Sequence, residues 1–176
     1  GYLSNENDPL INRALKDYAP GSTFKIPVTL AGMLSGKEMK HFECAGGARY
    51  GPKVFMKCWA LSKGYTHGSI DAREAIKTSC NGFFYRYGNA SGIDDILNVS
   101  KAMGLGEKTG IPLNNEDAGF IPNPDWKRAQ GLGKWGDADT ALVSIGQGAT
   151  EATALQMAGV AATTSNGGYY YKPRLI

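Results

Sequence analysis

The amino-acid sequence predicts a mainly α-helical domain with about five helices. Apolar residues recur at helical spacing in several segments, whereas almost no segment shows the alternation of a half-buried strand. The chain has 176 residues, of which 42% are hydrophobic, so it is the size of one domain and can bury a core. It contains 24 glycines, and we expect many of them to lie in turns between short elements.

The five helices are located by their capping residues and apolar positions. The first begins at Ser22 and ends near Ser35-Gly36. The second begins at Asp71, which nearly forms a capping box with Glu74, and it ends at Thr78-Ser79. The remaining predictions are helices over 83–87, 93–103 and about 153–164, a linker over 1–9, mostly loop over 104–139, and a strand or extended exit over 169–176.

Residues 36–68 lack a long periodic pattern and are too many for a bare loop in a compact domain. A metal site could hold such a segment, because thiolates and imidazole suit zinc and four such ligands make a closed tetrahedral site. The candidate ligands are Cys44, Cys58, His67 and Cys80. Their irregular spacing matches no zinc-finger pattern, so buried free cysteines and a Cys44–Cys58 disulfide remain alternatives.

Two short motifs carry groups suited to acyl transfer. Ser22 and Lys25 lie one turn apart at the predicted helix start, where a desolvated lysine can take the proton of a serine hydroxyl. The helix N-terminus also offers backbone N–H groups to a developing oxyanion. Ser79-Cys80-Asn81 presents a hydroxyl and an amide in a turn ahead of another helix. Each motif alone is more typical of an ordinary capped helix or a polar turn.

Charge and hydropathy exclude two classes of function. The net charge is only +3 and the basic residues are scattered, so nothing indicates a nucleic-acid-binding surface. No apolar run approaches the roughly 20 residues of a membrane-spanning helix. The sequence shows no signal peptide, and we therefore expect either a cytosolic protein or part of a longer one.

The order of the two motifs resembles that in the serine penicillin-recognising enzymes, whose third motif is Lys-Thr-Gly. From about residue 9 to 176, the chain resembles class B penicillin-binding proteins, and within them the elongation-type transpeptidase called penicillin-binding protein 2. The segments that carry the resemblance are 12–14, 18–25, 79–85, 92–94, 104–111, 145–148 and 155–158.

The resemblance implies the helical subdomain of the serine transpeptidase, β-lactamase-like fold, with residues 10–176 forming a partial domain and an inserted Cys/His loop at about 36–68. It implies a serine D,D-transpeptidase that cross-links peptidoglycan stem peptides and is acylated by β-lactams. Its location would be the periplasmic side of the bacterial inner membrane, in a membrane-anchored parent beside membrane proteins of the elongation machinery.

The resemblance also assigns roles to individual residues. Ser22 would attack the D-Ala-D-Ala carbonyl, and Lys25 would act as its base. Ser79 would relay a proton towards the leaving amine, and Asn81 would bind the substrate amide and Lys25. Relatives often carry polar or thiol residues around a segment like Cys58-Trp59…His67-Gly68, which favours a structural zinc bound by Cys44, Cys58, His67 and Cys80.

The third motif departs from the expected order. Lys108-Thr109-Gly110 has the residues of the third motif but lies earlier in the chain than that motif does in the family, so we interpret this segment as a surface loop. The resemblance then implies that the catalytic Lys-Thr-Gly strand and most of the central β-sheet are missing before Ile176, and we expect this chain to be acylated very slowly or not at all. The alternatives are a β-lactamase or β-lactam sensor, a non-catalytic helical interaction module, and an unrelated helical metal-binding domain.

Overall fold

The computed structural model describes residues 10–38 and 40–175, and helices dominate this part of the chain. The predicted linker over residues 1–9 lies outside the described residues. The prediction of a mainly helical chain is confirmed, with seven α-helices in the described part rather than five. They are α1 (Lys25–Leu34), α2 (Ala72–Lys77), α3 (Asn81–Ser91), α4 (Ile93–Ala102), α5 (Pro124–Ala129), α6 (Asp137–Val143) and α7 (Ala154–Ser165).

Helix α3 lies at the centre of the core and packs against α1, α2, α4 and α6. It buries Phe83, Phe84 and Tyr87 completely, with the rings of Phe83 and Tyr87 stacked at 4.9 Å. A Cβ on Gly32 of α1 would lie 2.2 Å from the Tyr87 ring, so the close approach of α1 and α3 requires glycine there. The helix is longer than the predicted 83–87 at both ends. It starts at Asn81 because the Cys80 sulfur accepts a hydrogen bond from the Phe83 N–H and caps the helix.

The sequence shows almost no strand pattern, yet four short strands form within residues 42–70. Two short antiparallel pairs and one 3-10 helix, Trp59–Lys63, organise this segment. Strands of three or four residues show no alternation that a sequence pattern could reveal. The pairs are β2 (Phe42–Cys44) with β5 (Gly68–Ile70), and β3 (Gly47–Tyr50) with β4 (Val54–Lys57).

A third strand pair joins the N-terminal part of the described chain to the segment before α7. Strand β1 (Asp17–Tyr18) pairs antiparallel with β6 (Ala152–Thr153), directly ahead of α7. Thr153 and Gln156 form a reciprocal capping box at the start of α7, which confirms the helix predicted from about residue 153. Larger sheets are not found among residues 10–38 and 40–175.

The C-terminal third differs from prediction in two places. Helix α5 and the start of α6 lie within residues 104–139, which were predicted to be mostly loop. Residues 169–175 form no strand, unlike one of the two alternatives predicted for residues 169–176. In the described part of the chain, none of the helices combines the length and apolarity that crossing a bilayer requires.

Candidate active site

Ser22 lies in a 3-10 turn, Gly21–Phe24, that leads directly into α1. A hydrogen bond to a distant loop stabilises this turn: the Gly21 N–H donates to the Gly146 carbonyl at 2.9 Å. Gly146 has φ +64°, and a Cβ there would lie 2.3 Å from the Gly21 oxygen. The loop at Gly146 therefore fixes the position of an exposed serine hydroxyl at the start of a helix.

Lys25, the first residue of α1, is 2% exposed and places its amine among three acceptors. Its Nζ donates to the Ser79 carbonyl at 2.8 Å, to Ser79 Oγ at 3.0 Å and to Asn81 Oδ1 at 2.7 Å. Burial lowers the pKa of Lys25 to about 8, and the neighbouring Cys80 and Cys58 act in the opposite direction. About one molecule in ten would then carry a neutral amine at pH 7.

The structure links Lys25 to Ser22 through Ser79. Ser79 Oγ lies 2.9 Å from Ser22 Oγ and 3.0 Å from the Lys25 amine. Within the described residues, the hydrogen bonds of Lys25 do not include one directly to Ser22. All four predicted catalytic residues thus come together. The Ser79 hydroxyl bridges the Ser22 hydroxyl and the Lys25 amine.

Ser79 adopts a backbone conformation that favours glycine, with φ +51°. Ser79 lies directly after the C-terminal cap of α2. Its N–H donates to the Ile76 carbonyl, and the Cys80 N–H donates to the Ala75 carbonyl. These two bonds form a Schellman motif, in which glycine usually occupies the position that Ser79 holds here. At this position the Ser79 side chain places its hydroxyl between Ser22 and Lys25.

Lys108-Thr109-Gly110 has its own separate set of partners. The Thr109 hydroxyl and N–H both donate to the Glu116 carboxylate, and Thr109 is buried. Lys108 is exposed, and its charge helps to lower the pKa of the Asp117 carboxyl. Across the described residues, the hydrogen bonds of this segment do not reach Ser22, Lys25 or Ser79.

The second predicted group, Cys44, Cys58, His67 and Cys80, also comes together. Their potential ligand atoms all lie within 4.8 Å of one another, and the three cysteines are buried and unpaired. His67 Nδ1 lies 3.7 Å from the Cys44 sulfur and 3.6 Å from the Cys58 sulfur, and the sulfurs of Cys58 and Cys80 are 3.9 Å apart.

These separations can be compared with those of a zinc site. A tetrahedral ion with bonds of about 2.3 Å to sulfur and 2.0–2.1 Å to nitrogen sets the sulfurs about 3.8 Å apart and sulfur about 3.5 Å from nitrogen. The three separations given above are close to these values, and all four donor atoms lie within 4.8 Å of one another. The types and positions of these four residues therefore fit a four-coordinate zinc ion.

Electrostatics within the cluster favour a thiolate. The Cys58 and Cys80 sulfurs share a hydrogen bond, and this bond, together with backbone N–H groups, lowers the pKa of Cys58. The same bond and burial raise the pKa of Cys80. His67 packs edge-to-face against the rings of Trp59 and Tyr65, and its Nε2 is buried without a partner in the described part of the chain. Binding through Nδ1 would leave the proton on Nε2, where it can face an aromatic ring.

One connection between the two clusters was not predicted. The Trp59 indole N–H lies 3.2 Å from the Thr78 carbonyl and 3.1 Å from the Ser79 carbonyl. Trp59 follows Cys58 directly, so the Cys/His segment contacts the backbone that positions Ser79. The sequence carried only an indirect signal, a tryptophan beside one candidate ligand.

Comparison with known proteins identifies the family. The family model described as the penicillin binding protein transpeptidase domain matches residues 2–176. The peptidoglycan D,D-transpeptidase MrdA of Acinetobacter baumannii is 35% identical over 98% of the chain. This chain belongs to the penicillin-binding protein transpeptidase family. Its relatives are class B penicillin-binding proteins of the MrdA, or penicillin-binding protein 2, type, and it spans about a quarter (26%) of the length of that curated relative.

Solved structures of penicillin-binding protein 2 share the fold. That of Pseudomonas aeruginosa, in complex with WCK 5153, gives a TM-score of 0.89 at 30% identity, over 98% of this chain and 39% of that one. That of Helicobacter pylori, in complex with MreC, gives a TM-score of 0.88 at 29% identity, over 98% of this chain and 32% of that one. The fold is therefore that of the penicillin-binding protein transpeptidases, and the predicted family is confirmed.

Proposed function

We propose that the chain supplies the serine–lysine part of the active site of a peptidoglycan D,D-transpeptidase. One observation carries the proposal: a buried lysine amine of lowered pKa is linked by a bridging hydroxyl to an exposed serine at a helix start. The family supports acyl transfer on peptidoglycan, since MrdA relatives are named D,D-transpeptidases. The substrate would be a stem peptide that ends in D-Ala-D-Ala.

In the proposed reaction, Ser22 Oγ attacks the carbonyl carbon of the penultimate D-Ala. The serine proton passes to Ser79 Oγ, which lies 2.9 Å away, while Lys25 in its neutral form accepts a proton from Ser79. The backbone N–H of Ser22 stabilises the oxyanion at the start of the helix. The peptide bond then breaks, and Ser79 returns a proton to the departing amine of the terminal D-Ala.

The acyl-enzyme is resolved by a second stem peptide. Its side-chain amine attacks the ester at Ser22, the ester bond breaks, and Ser22 recovers its proton through the same hydroxyl. Asn81, like Ser79, accepts a hydrogen bond from the Lys25 amine, and its amide group binds the backbone of the bound peptide. A β-lactam would follow the first half of this path, because its strained amide takes the place of the D-Ala-D-Ala bond.

We further propose that the third motif lies outside this chain. The contacts of Thr109 with Glu116 leave Lys108-Thr109-Gly110 outside the Ser22 cluster and support its interpretation as a loop. The remaining oxyanion donor and the central sheet would come from the rest of the protein. The isolated 176 residues would then react with penicillin very slowly or not at all, while the full-length protein reacts within minutes.

The proposal extends to the setting of the whole protein. We place it on the periplasmic side of the inner membrane, anchored there and working with membrane proteins of the elongation machinery. The complex of the Helicobacter pylori relative with MreC supports a partner of this kind. Co-purification of the full-length protein with its own MreC-like partner tests this part.

A structural zinc ion is the cofactor we propose, held by Cys44, Cys58, His67 and Cys80. Zinc would supply four bonds that join the strand pairs over residues 42–70 to the start of α3, and it has no role in acyl transfer. Metal analysis of the purified protein is expected to give one equivalent of zinc. Less than half an equivalent, together with three titratable thiols, would exclude the site.

Labelling with a fluorescent penicillin tests the transpeptidase assignment. The full-length protein should be labelled at one equivalent and should release D-alanine from a D-Ala-D-Ala peptide in the presence of an amine acceptor. Ser22→Ala should abolish both reactions, whereas Ser165→Ala, which removes an exposed hydroxyl at the end of α7, should leave them unchanged. Rapid turnover of a chromogenic cephalosporin would instead indicate a β-lactamase, and labelling that survives Ser22→Ala would reject the site.

A further inference from the structure

We infer that Trp59 is a positioning residue for the active site, because its indole N–H holds the carbonyl that receives the Lys25 amine. This inference rests on the proposed function of Ser22, Lys25 and Ser79. The indole nitrogen of Trp59 lies 3.1 Å from the Ser79 carbonyl oxygen and 3.2 Å from that of Thr78. An indole nitrogen is a donor only, so one N–H is shared between two adjacent carbonyls.

The Ser79 carbonyl receives two donors from opposite parts of the fold. The Lys25 amine approaches from α1 at 2.8 Å, and the Trp59 indole approaches from the Cys/His segment at 3.1 Å. A carbonyl oxygen has two lone pairs, so both bonds can form together. The orientation of this carbonyl therefore depends on both residues, and Trp59 helps to set the position of the oxygen that accepts from the Lys25 amine.

The backbone at Ser79 needs such support. A side chain at φ +51° is strained, and a strained residue keeps its conformation only when its surroundings fix it. The Schellman bonds hold the N–H groups of Ser79 and Cys80, but they leave the carbonyls of Thr78 and Ser79 to other partners. Trp59 binds both of these carbonyls. It thus fixes the peptide that carries the bridging hydroxyl between Ser22 and Lys25.

The indole ring and its N–H act separately. The ring packs edge-to-face on Tyr65 at 5.7 Å and on His67 at 5.4 Å, between ring centroids, and the whole side chain is 40% exposed. A ring needed only to cover His67 could leave its N–H in water. Here the N–H is directed at the backbone of Ser79 instead. Phenylalanine at position 59 would keep the ring packing and remove only the donor.

Acylation kinetics of the full-length protein with benzylpenicillin test the inference. Trp59→Phe should lower the first-order acylation constant about 3- to 10-fold, the expected effect of losing one hydrogen bond, and should leave the dissociation constant of the non-covalent complex unchanged. Trp135→Phe is the matched control, because the Trp135 indole also donates one hydrogen bond, to Thr140 Oγ1, away from Ser79. It should leave both constants unchanged.

Three outcomes would overturn the inference. They are an unchanged acylation constant in Trp59→Phe, an equal fall in Trp135→Phe, and a fall in Trp59→Phe that is accompanied by loss of the bound metal. Failure of the wild-type protein to acylate would instead reject the proposed function.

A second measurement on the chain does not depend on activity. The Trp59 indole proton should exchange with solvent much more slowly in ¹⁵N-resolved spectra than that of Trp126, for which the described residues offer no acceptor. Equal exchange rates would also overturn the inference.

Discussion

Replacing Lys25 by methionine should change how the stability of the fold responds to pH. Lys25 is 2% exposed, and burial lowers its pKa from 10.5 to about 8. The folded protein therefore binds this proton more weakly than the unfolded chain does. The difference corresponds to about 3 kcal/mol, because a tenfold change in proton affinity is worth about 1.4 kcal/mol. This free energy is the cost of keeping a charged amine in the buried site.

The sign of the pH dependence follows from the two pKa values. Below about pH 8 both states carry the proton, and the folded state bears the full cost. Between about pH 8 and pH 10.5 the unfolded chain still holds the proton that the folded chain has lost. The unfolding free energy contributed by Lys25 therefore rises with pH across this window. Methionine has a similar length and no charge, so Lys25→Met lacks this rise.

The substitution also removes three hydrogen bonds, but this loss does not vary with pH. The Ser79 carbonyl keeps the bond from Trp59 and Ser79 Oγ keeps Ser22, while Asn81 Oδ1 loses its Lys25 donor at a cost of about 1–3 kcal/mol. We therefore expect Lys25→Met to be about 1 kcal/mol more stable than wild type at pH 7. From pH 7 to pH 10, the difference should move by about 2–3 kcal/mol in favour of wild type.

Urea unfolding of the chain and of Lys25→Met at pH 7 and pH 10 measures both quantities. Lys101→Met, which removes an exposed lysine of α4, is the control and should show no such change with pH. A difference between wild type and Lys25→Met that is the same at both pH values would show that the buried amine carries no desolvation cost. The basis for treating Lys25 as the base would then be lost.

Three further predictions follow from the same contacts. If neutral Lys25 is the base, the acylation constant should rise about tenfold per pH unit below pH 8 and level off above it, and a flat profile from pH 6.5 to 9 would exclude this role. If the proposed zinc ion is bound, removing it with a strong chelator should lower the melting temperature by roughly 10 °C, since saturating metal adds about 4 kcal/mol, and an unchanged melting temperature would argue against the metal. Gly146→Ala should destabilise the fold by more than about 2 kcal/mol and slow acylation, because its Cβ would overlap the Gly21 oxygen. Gly148→Ala has a similar φ but a Cβ at 3.5 Å from its nearest neighbour, so equal losses in the two variants would contradict the packing argument.

The sequence was informative at two helix starts where one local interaction decides the structure. Asp71 caps α2 by accepting the Glu74 N–H, and Thr153 caps α7, as their residue types predict. The two motifs proposed as catalytic and the Cys/His group were also predicted as sets, because the order of the motifs and the residue types that bind metals can be read from the sequence. The resemblance to a known family then fixed which serine and which lysine belong together.

The sequence was uninformative where long-range packing decides the structure. The strand pairs over residues 42–70 are too short for a periodic pattern, and their pairing depends on contacts with α3. The bridging position of Ser79 depends on its positive φ, and a serine in the sequence does not predict a positive φ. The bond from Trp59 to the Ser79 carbonyl joins residues 20 positions apart in a segment with no repeat. Such features become visible only when the backbone is in place.

Peptide mapping after brief exposure to penicillin would locate the acyl group. Trypsin cuts after Lys16 and Lys25, which releases residues 17–25 with Ser22 and Thr23 side by side. In the full-length protein, this peptide should gain the mass of one penicilloyl group, and fragmentation should place the group on Ser22. An adduct on Thr23 or on another peptide, or an unmodified peptide in a protein that is labelled at one equivalent, would be inconsistent with Ser22 as the nucleophile.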